Sequence, residues 1–277
     1  MKIRILLLMF LATIQLFAVS QKSVEFYVKE YIEKKMKSPV ESIETLSSYT
    51  VDGTNGWKVY FLALNVKIKM GNEEVSRKLN QVVFNKGSKI AFSLKDKKGK
   101  DYAKILKPKV PALAYDSKHL LVGNVDAKHK ILLMSDPFCP FCQEIVPKII
   151  DSVKENPKTF ALYYYHLPLL RIHPASDMTT KAMHVFQERG EVEKLKECYH
   201  LLVNEKERNP EVVLDAIAKK TGVRFTQKEL NKEEVQDALA FDTAMKKRLM
   251  ITGTPTIFID GTWDPTRFKY KEYLPKK

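Results

Sequence analysis

The chain is poor in cysteine, glycine and tryptophan, with three, ten and two residues respectively in 277. Three cysteines cannot staple a fold, so a disulfide-built scaffold, which is short and cysteine-dense, is excluded. There is no second Cys-x-x-Cys and no His-x(3–5)-His. The single close pair, Cys139 and Cys142, therefore lacks the partners that would complete a structural zinc site of about four ligands. After residue 20 no run approaches the roughly 20 apolar residues of a membrane span. No repeat, low-complexity tract or basic stretch interleaved with aromatics is present. The formal charge of +14 is dispersed among acids, as in Lys194-Leu195-Lys196-Glu197. It reads as a solubility feature that draws anionic partners, and not as a nucleic-acid surface.

What is there begins with an export pattern. Lys2 and Arg4 precede an apolar stretch from Ile5 to Phe17, and Ala18-Val19-Ser20 offers small residues for cleavage before Gln21. The stretch is short for an anchor and reads as a secretory signal over 1–20, cleaved near Ser20. The expected localisation is the periplasm.

The remaining chain exceeds the commonest single-domain size, and its pattern changes near residue 100. Apolar residues at Val24, Tyr27, Val28, Tyr31, Ile32 and Met36 predict a helix. Trp57 to Ile68, Gln81 to Phe84 and Lys89 to Leu94 predict strands of a small antiparallel sheet. This unit, 21–96, would bury little alone and carries a sheet edge, so self-association is expected. Residues 97–117, with Pro108 and Pro111, read as a linker, part helical at Tyr102 to Leu106.

The second unit, 118–277, shows strand patterns at Leu120 to Val122, Lys130 to Ser135, Phe160 to His166 and Pro255 to Ile259. A helix over Gln143 to Val153 is expected to be interrupted by Pro147. Helices at about 175–189, 191–204, 208–220 and 227–250 form an insertion over about 167–250. Together these predict an α/β layer architecture.

Cys139 falls where a strand ends and a helix begins, with Pro140 suited to the first helical turn. The free N–H groups and dipole of that helix would favour a thiolate at Cys139. Cys142 would lie one turn deeper, placed to resolve a mixed disulfide. Phe141 adds no positive charge, so the couple should oxidise less strongly than one carrying histidine there. The competing reading is a zinc half-site. Pro255 is either an edge-strand proline or the second residue of a cis Thr254–Pro255 bond that sets Thr254 against the sulfurs, where its backbone could pair with a substrate strand. Cys198 reads as a small buried hydrophobe. His166, His173 and His184 read as surface or satisfied histidines. Asp136 is a cap, a solvated turn residue or an electrostatic neighbour of Cys139.

Phe138-Cys139-Pro140-Phe141-Cys142, Pro147 and Gly253-Thr254-Pro255-Thr256 together resemble the bacterial envelope thioredoxin-fold Dsb proteins. The order of signal, small domain, linker and catalytic domain resembles the DsbC/DsbG branch. The resemblance implies an α/β fold: a thioredoxin-like catalytic domain with a helical insertion, preceded by a small α+β (cystatin-like) dimerisation domain. Carried over by position, Cys139 and Cys142 match the redox pair and Thr254 and Pro255 the cis-proline loop; Thr254 and Asp136 resemble the isomerase branch. The buried acid that thioredoxins carry six positions before the first cysteine is absent, and Leu133 stands there.

The implied function is disulfide isomerisation or reduction on cysteine-containing exported proteins, by a homodimer kept reduced by a membrane thiol reductase of the DsbD type. No metal or organic cofactor is expected beyond the Cys139–Cys142 couple. The alternatives are a DsbA-like dithiol oxidase served by an oxidase partner, and a thiol-independent holdase chaperone.

Overall fold

A computed structural model describes residues 20–71 and 73–275. The expected export signal lies outside these residues, apart from Ser20. The chain divides into two compact units between Ile105 and Leu106. Among the described residues no helix is long and apolar enough to cross a membrane.

The first unit opens with α1 (Gln21–Met36), capped by the Ser20 hydroxyl accepting from Ser23 N at 3.2 Å. Four strands follow: β1 (Val40–Thr50), β2 (Lys58–Met70), β3 (Glu73–Lys86) and β4 (Lys89–Ala91), in the order β1-β2-β3-β4 and all antiparallel. Alternate residues of β2, from Tyr60 through Leu62 and Leu64 to Val66, pack with Val24, Val28 and Ile32 of α1. That two-layer core uses the 3.6 period of the helix against the 2 period of the strand. The helical stripe is narrower than its sequence suggests, since Tyr27, Tyr31 and Met36 remain exposed. Strand β1 has no apolar signature. Its polar sequence, Val-Glu-Ser-Ile-Glu-Thr-Leu-Ser-Ser-Tyr-Thr, is held extended by its ladder with β2. A short helix, α2 (Tyr102–Ile105), closes this unit.

The second unit is built on a five-stranded sheet of β5 (Leu120–Gly123), β6 (His129–Ser135), β7 (Phe160–His166), β8 (Thr256–Ile259) and β9 (Thr262–Asp264), in the order β5-β7-β6-β8-β9. Only β6 and β7 run parallel, joined through α3 (Pro140–Glu155). Every residue of β7 is buried, as a central strand covered on both faces requires. One face, with Ile131, Leu133, Leu162 and Tyr164, packs on α3 and the helical insertion. The other, with Leu132, Met134, Tyr163 and Tyr165, packs on the end of α8 (Glu233–Arg248) and the segment around Ala114. Gly123 (φ +95°) lies so close to β7 that a Cβ there would sit 2.2 Å from Phe160 O. The α/β class and the thioredoxin-like sheet expected from the sequence are thus present.

Three local expectations are corrected. Helix α3 runs unbroken through Pro147, because Ile145, Val146, Ile149, Ile150 and Val153 are all buried along it and outweigh one lost backbone bond. The helix expected over 191–204 stops early: α5 (Val192–Glu197) passes into a 3₁₀ turn, Cys198–His200, and Leu202 is almost fully exposed. The pattern over 227–250 is two helices, α7 (Gln227–Leu230), opened by the Thr226–Glu229 capping box, and α8, separated at Asn231 and Lys232. The other insertion helices are α4 (Ser176–Glu188) and α6 (Pro210–Thr221).

Candidate active site

Cys139 is the N-cap residue of α3, and Pro140 occupies the first turn, where no backbone donor is needed. Cys142 follows in that same turn. Neither cysteine is in a disulfide. Cys139 retains 6 % exposure and Cys142 none, which decides which sulfur another molecule can meet. The exposed ring of Phe141 lies beside them under the Arg267 guanidinium, 5.3 Å from the ring centroid.

The two sulfurs differ in electrostatics as much as in access. A hydrogen bond from Cys142 lowers the Cys139 thiol to about 5 against the opposing effect of burial, aided by Thr254 and the N–H groups of Cys142 and Phe141. Cys142 moves the other way: burial, and donation of its own S–H to Cys139, push its thiol well up. One poised thiolate and one reluctant thiol result.

The loop before β8 faces this pair. The Thr254–Pro255 bond is cis, and Thr254 O accepts from Cys139 Sγ at 3.4 Å. Thr254 Oγ1 is buried with no partner in hydrogen-bond geometry, yet it lies near enough to favour charge on Cys139. It is a donor held beside a sulfur that becomes an acceptor on ionising.

Asp136 is neither exposed nor solvated. Its fully buried carboxylate accepts from Phe138 N (2.8 Å), Cys139 N (3.0 Å), Leu169 N (2.6 Å) and Ser176 Oγ (3.0 Å), and lies 3.0 Å from His173 Nδ1. It therefore fixes the cysteine loop to the entrance of the insertion. His173 is satisfied by that contact and His184 is paired with Glu188, but His166 is neither a surface residue nor satisfied at Nε2. His166 and His184 are both buried, and burial lowers both side chains; His166 Nε2 has no partner in hydrogen-bond geometry, whereas His184 Nε2 lies 3.5 Å from Glu188 Oε1. The reason is that β7 is covered on both faces and α4 seals it at His166. Cys198 is fully buried, as expected of a small hydrophobe. Among the described residues no group of three or more histidine, cysteine or acidic side chains is arranged to hold a metal ion.

Residues 116–273, more than half the chain, match the thioredoxin family. The chain belongs to that family. The thioredoxin match spans β5 to the 3₁₀ turn at Lys269–Tyr273 and so includes Cys139, Cys142, Thr254 and Pro255. No curated protein matches the sequence. Similar solved structures include a thioredoxin-like oxidoreductase from Silicibacter pomeroyi DSS-3, at 20 % identity over 58 % of this chain and 93 % of that one, with a TM-score of 0.47. BdbD from Bacillus subtilis, in its oxidised form, shares 20 % identity over 57 % of this chain and 90 % of its own, with a TM-score of 0.46. ScsC from Proteus mirabilis in a transitional conformation shares 20 % identity over 58 % and 74 %, with a TM-score of 0.45.

Residues that sequence reasoning passed over also line the thioredoxin-type site. Ser135, at the end of β6, receives a hydrogen bond from Tyr199 OH at 2.6 Å, and Tyr199 OH lies 2.5 Å from Tyr164 OH. In the sequence Tyr199 reads only as part of an apolar stripe. Its hydroxyl is the available signal, because a buried tyrosine OH needs a partner.

Proposed function

We propose that the protein is a thiol-disulfide oxidoreductase acting on exported cysteine-containing proteins, of the DsbC/DsbG type, with Cys139 as nucleophile and Cys142 as resolving thiol. One observation carries this reading: the partly exposed Cys139, with its thiol lowered to about 5, faces the Thr254 carbonyl at 3.4 Å while Cys142 sits behind it, fully buried. A thiolate is the attacking species in exchange, and the Thr254 backbone offers an extended substrate a place to pair.

In the proposed cycle Cys139 attacks a substrate disulfide, forming a mixed disulfide and releasing one substrate thiolate. Either a substrate thiol then displaces Cys139, which is isomerisation, or Cys142 does, which reduces the substrate and leaves Cys139–Cys142 oxidised. The raised thiol of Cys142 favours isomerisation, because a slow internal escape gives the substrate's own thiol time to act. The reductive route needs a dithiol donor to restore the pair, in our reading a membrane reductase of the DsbD type. The pair itself is the only redox centre invoked.

A second reading, disulfide donation, is favoured by the lowered thiol of Cys139, since stabilising the thiolate stabilises the reduced enzyme and makes its disulfide a better oxidant. Export, and self-association through the first unit, complete the proposal; both are supported by the sequence pattern. The test is to express Cys142→Ser and identify trapped partners. Mixed disulfides with multi-cysteine exported proteins are expected. Their absence, or a Cys139→Ser strain that keeps all cellular function, would sink the enzyme reading in favour of a thiol-independent chaperone. Accumulation of wild-type protein in the oxidised form would select donation over isomerisation.

A further inference from the structure

The turn after β9 carries a cation to the nucleophile. Asp264, the last residue of β9, pairs with Ile257, two residues past the cis-proline. The chain beyond Asp264 therefore leaves the sheet at the end where Thr254 faces Cys139. The buried Asp264 carboxylate pins this turn, accepting from Thr266 N (2.9 Å), Thr266 Oγ1 (2.6 Å) and Lys269 N (2.9 Å). Phe268 N in turn donates to Thr266 Oγ1 at 3.2 Å. Between these held residues Arg267 takes a left-handed φ of +67°, a conformation that costs energy for any residue with a Cβ. A costly backbone position of this kind points to a task for its side chain.

That task is set by where the guanidinium stands. Arg267 Cζ lies 5.3 Å from the ring centroid of Phe141, the exposed residue between the two cysteines. Stacking uses the flat face of a guanidinium and leaves the N–H donors around its edge free. Among the described residues Arg267 forms no ion pair, and Asp264 is already committed to Thr266 and Lys269. Glu144, three residues beyond Phe141 on α3, is not paired with it either. A second loop at this end of the sheet has the same character. Leu169 N and His173 Nδ1 both engage Asp136, at 2.6 and 3.0 Å, and between them Leu170, Arg171 and Ile172 stand exposed. Arg171 also has no ion pair. The surface around Cys139 is thus apolar and positive.

We propose that Arg267, held against Phe141, is a specificity-determining residue that selects protein disulfides with an acidic side chain beside the cysteine. This rests on reading Cys139 and Cys142 as an exchanging dithiol, and it names the substrate class of that exchange. A substrate strand paired with the Thr254 backbone passes the turn that carries Arg267. A carboxylate next to its cysteine meets the free N–H edge, where a two-point pair can form. Arg171 adds positive field from the neighbouring loop.

Arg267 moves no proton in the exchange. The Cys139 thiolate attacks, the Cys139–substrate S–S bond forms and the substrate S–S bond breaks. The electron pair of the broken bond leaves on the departing substrate sulfur. Arg267 holds the flanking carboxylate meanwhile, so its effect depends on the charge of the substrate.

The experiment uses reduced full-length protein and three symmetric peptide disulfides, identical except that glutamate, glutamine or lysine flanks the single cysteine. The second-order rate of mixed-disulfide formation is measured for each, in wild type and variants. Arg267→Gln is expected to slow the glutamate peptide about two- to fivefold and to leave the glutamine peptide unchanged. Arg267→Glu should slow the glutamate peptide further and speed the lysine peptide. Lys158→Gln removes one exposed cation just ahead of β7, at the opposite end of the sheet from Cys139, and should change none of the three rates. An equal loss with all three peptides in Arg267→Gln assigns the residue to local structure and overturns the proposal. So does a Lys158→Gln loss as large as that of Arg267→Gln, which would place the effect in the overall charge. Should Arg267→Gln not fold, the same comparison with Arg267→Glu decides. Wild-type protein that forms no mixed disulfide with any peptide overturns the dithiol reading itself, whereas mixed disulfides formed without charge preference overturn only this inference.

Discussion

Asp136 Oδ2 accepts a hydrogen bond from Leu169 N at 2.6 Å, joining the loop that carries the cysteines to the segment that leads into the helical insertion. The same carboxylate holds Cys139 N at 3.0 Å, so the nucleophile's backbone and the insertion share one buried anchor.

Removing that anchor strands several donors at once. Asp136→Ala leaves Phe138 N, Leu169 N and Ser176 Oγ without their acceptor, while Cys139 N keeps the backbone carbonyl of residue 136 at 3.2 Å, and each buried donor left unpaired costs about 1–3 kcal/mol. A loss of about 3 kcal/mol or more in unfolding free energy is expected from denaturant midpoints, and Asp136→Asn, which keeps one carbonyl oxygen, should lose less.

The lowered thiol of Cys139 ties stability to pH in a defined direction. A folded-state value of about 5 against an unfolded value near 8.5 adds stability to the reduced protein. That gain is complete above about pH 8.5 and is lost as pH falls through about 5. The difference in melting temperature between reduced wild type and Cys139→Ala should therefore widen from pH 5 to 9. A flat difference would show that the thiolate is not stabilised.

Alkylation should discriminate among the three cysteines. Cys139 is partly exposed and ionised at neutral pH, whereas Cys142 and Cys198 have no exposure and burial pushes both thiols up. Brief iodoacetamide treatment at pH 7 should label Cys139 alone by mass spectrometry, with Cys198 reacting only after denaturation. Equal labelling of Cys198 in the native protein would contradict its burial.

His119 lies between two carboxylates, 2.8 Å from Asp116 by Nδ1 and 2.9 Å from Asp242 by Nε2, and stacks on Tyr165 at 4.0 Å. Burial pulls its value down, but the hydrogen bonds and charges of Asp242 and then Asp116 outweigh this and leave it raised. Asp242 is itself raised, because burial dominates there. The two directions agree if the cost falls on the more deeply buried carboxylate, which also accepts from His166 N at 2.8 Å. Removing either partner should cost about 3 kcal/mol, and the double replacement less than the sum, in a double-mutant cycle. The raised histidine adds stability in full below about pH 6.5, fading as pH rises through its folded value.

Several features are legible in the order of residues. The Cys-Pro-Phe-Cys spacing ahead of a helical pattern tells where a thiol meets a helix N-terminus, and a distant Thr-Pro tells what faces it. The run Phe160 to His166 announces a strand, and its burial on both faces appears only in the packed sheet. Strand β1 is not legible, because its order comes from pairing with β2 and not from its own polar residues. The end of α5 is hidden for a similar reason: the apolar spacing continues, but the 3₁₀ turn that follows brings Tyr199 to Ser135 and leaves Leu202 outside.

By itself the sequence determined the α/β class and the place of Cys139 and Cys142 at a strand-to-helix junction, because periodicity and short-range spacing act within a few residues; the thioredoxin-like core followed from its motifs' resemblance to a known family. Only the tertiary structure decided what surrounds those sulfurs. Asp136, His173, Tyr199 and Thr254 reach the site from segments far apart in the chain, and Cys139 and Cys142 become unequal only when burial and hydrogen bonding act on them together. Burial is a property of the whole packed core, and no local pattern of residues encodes it.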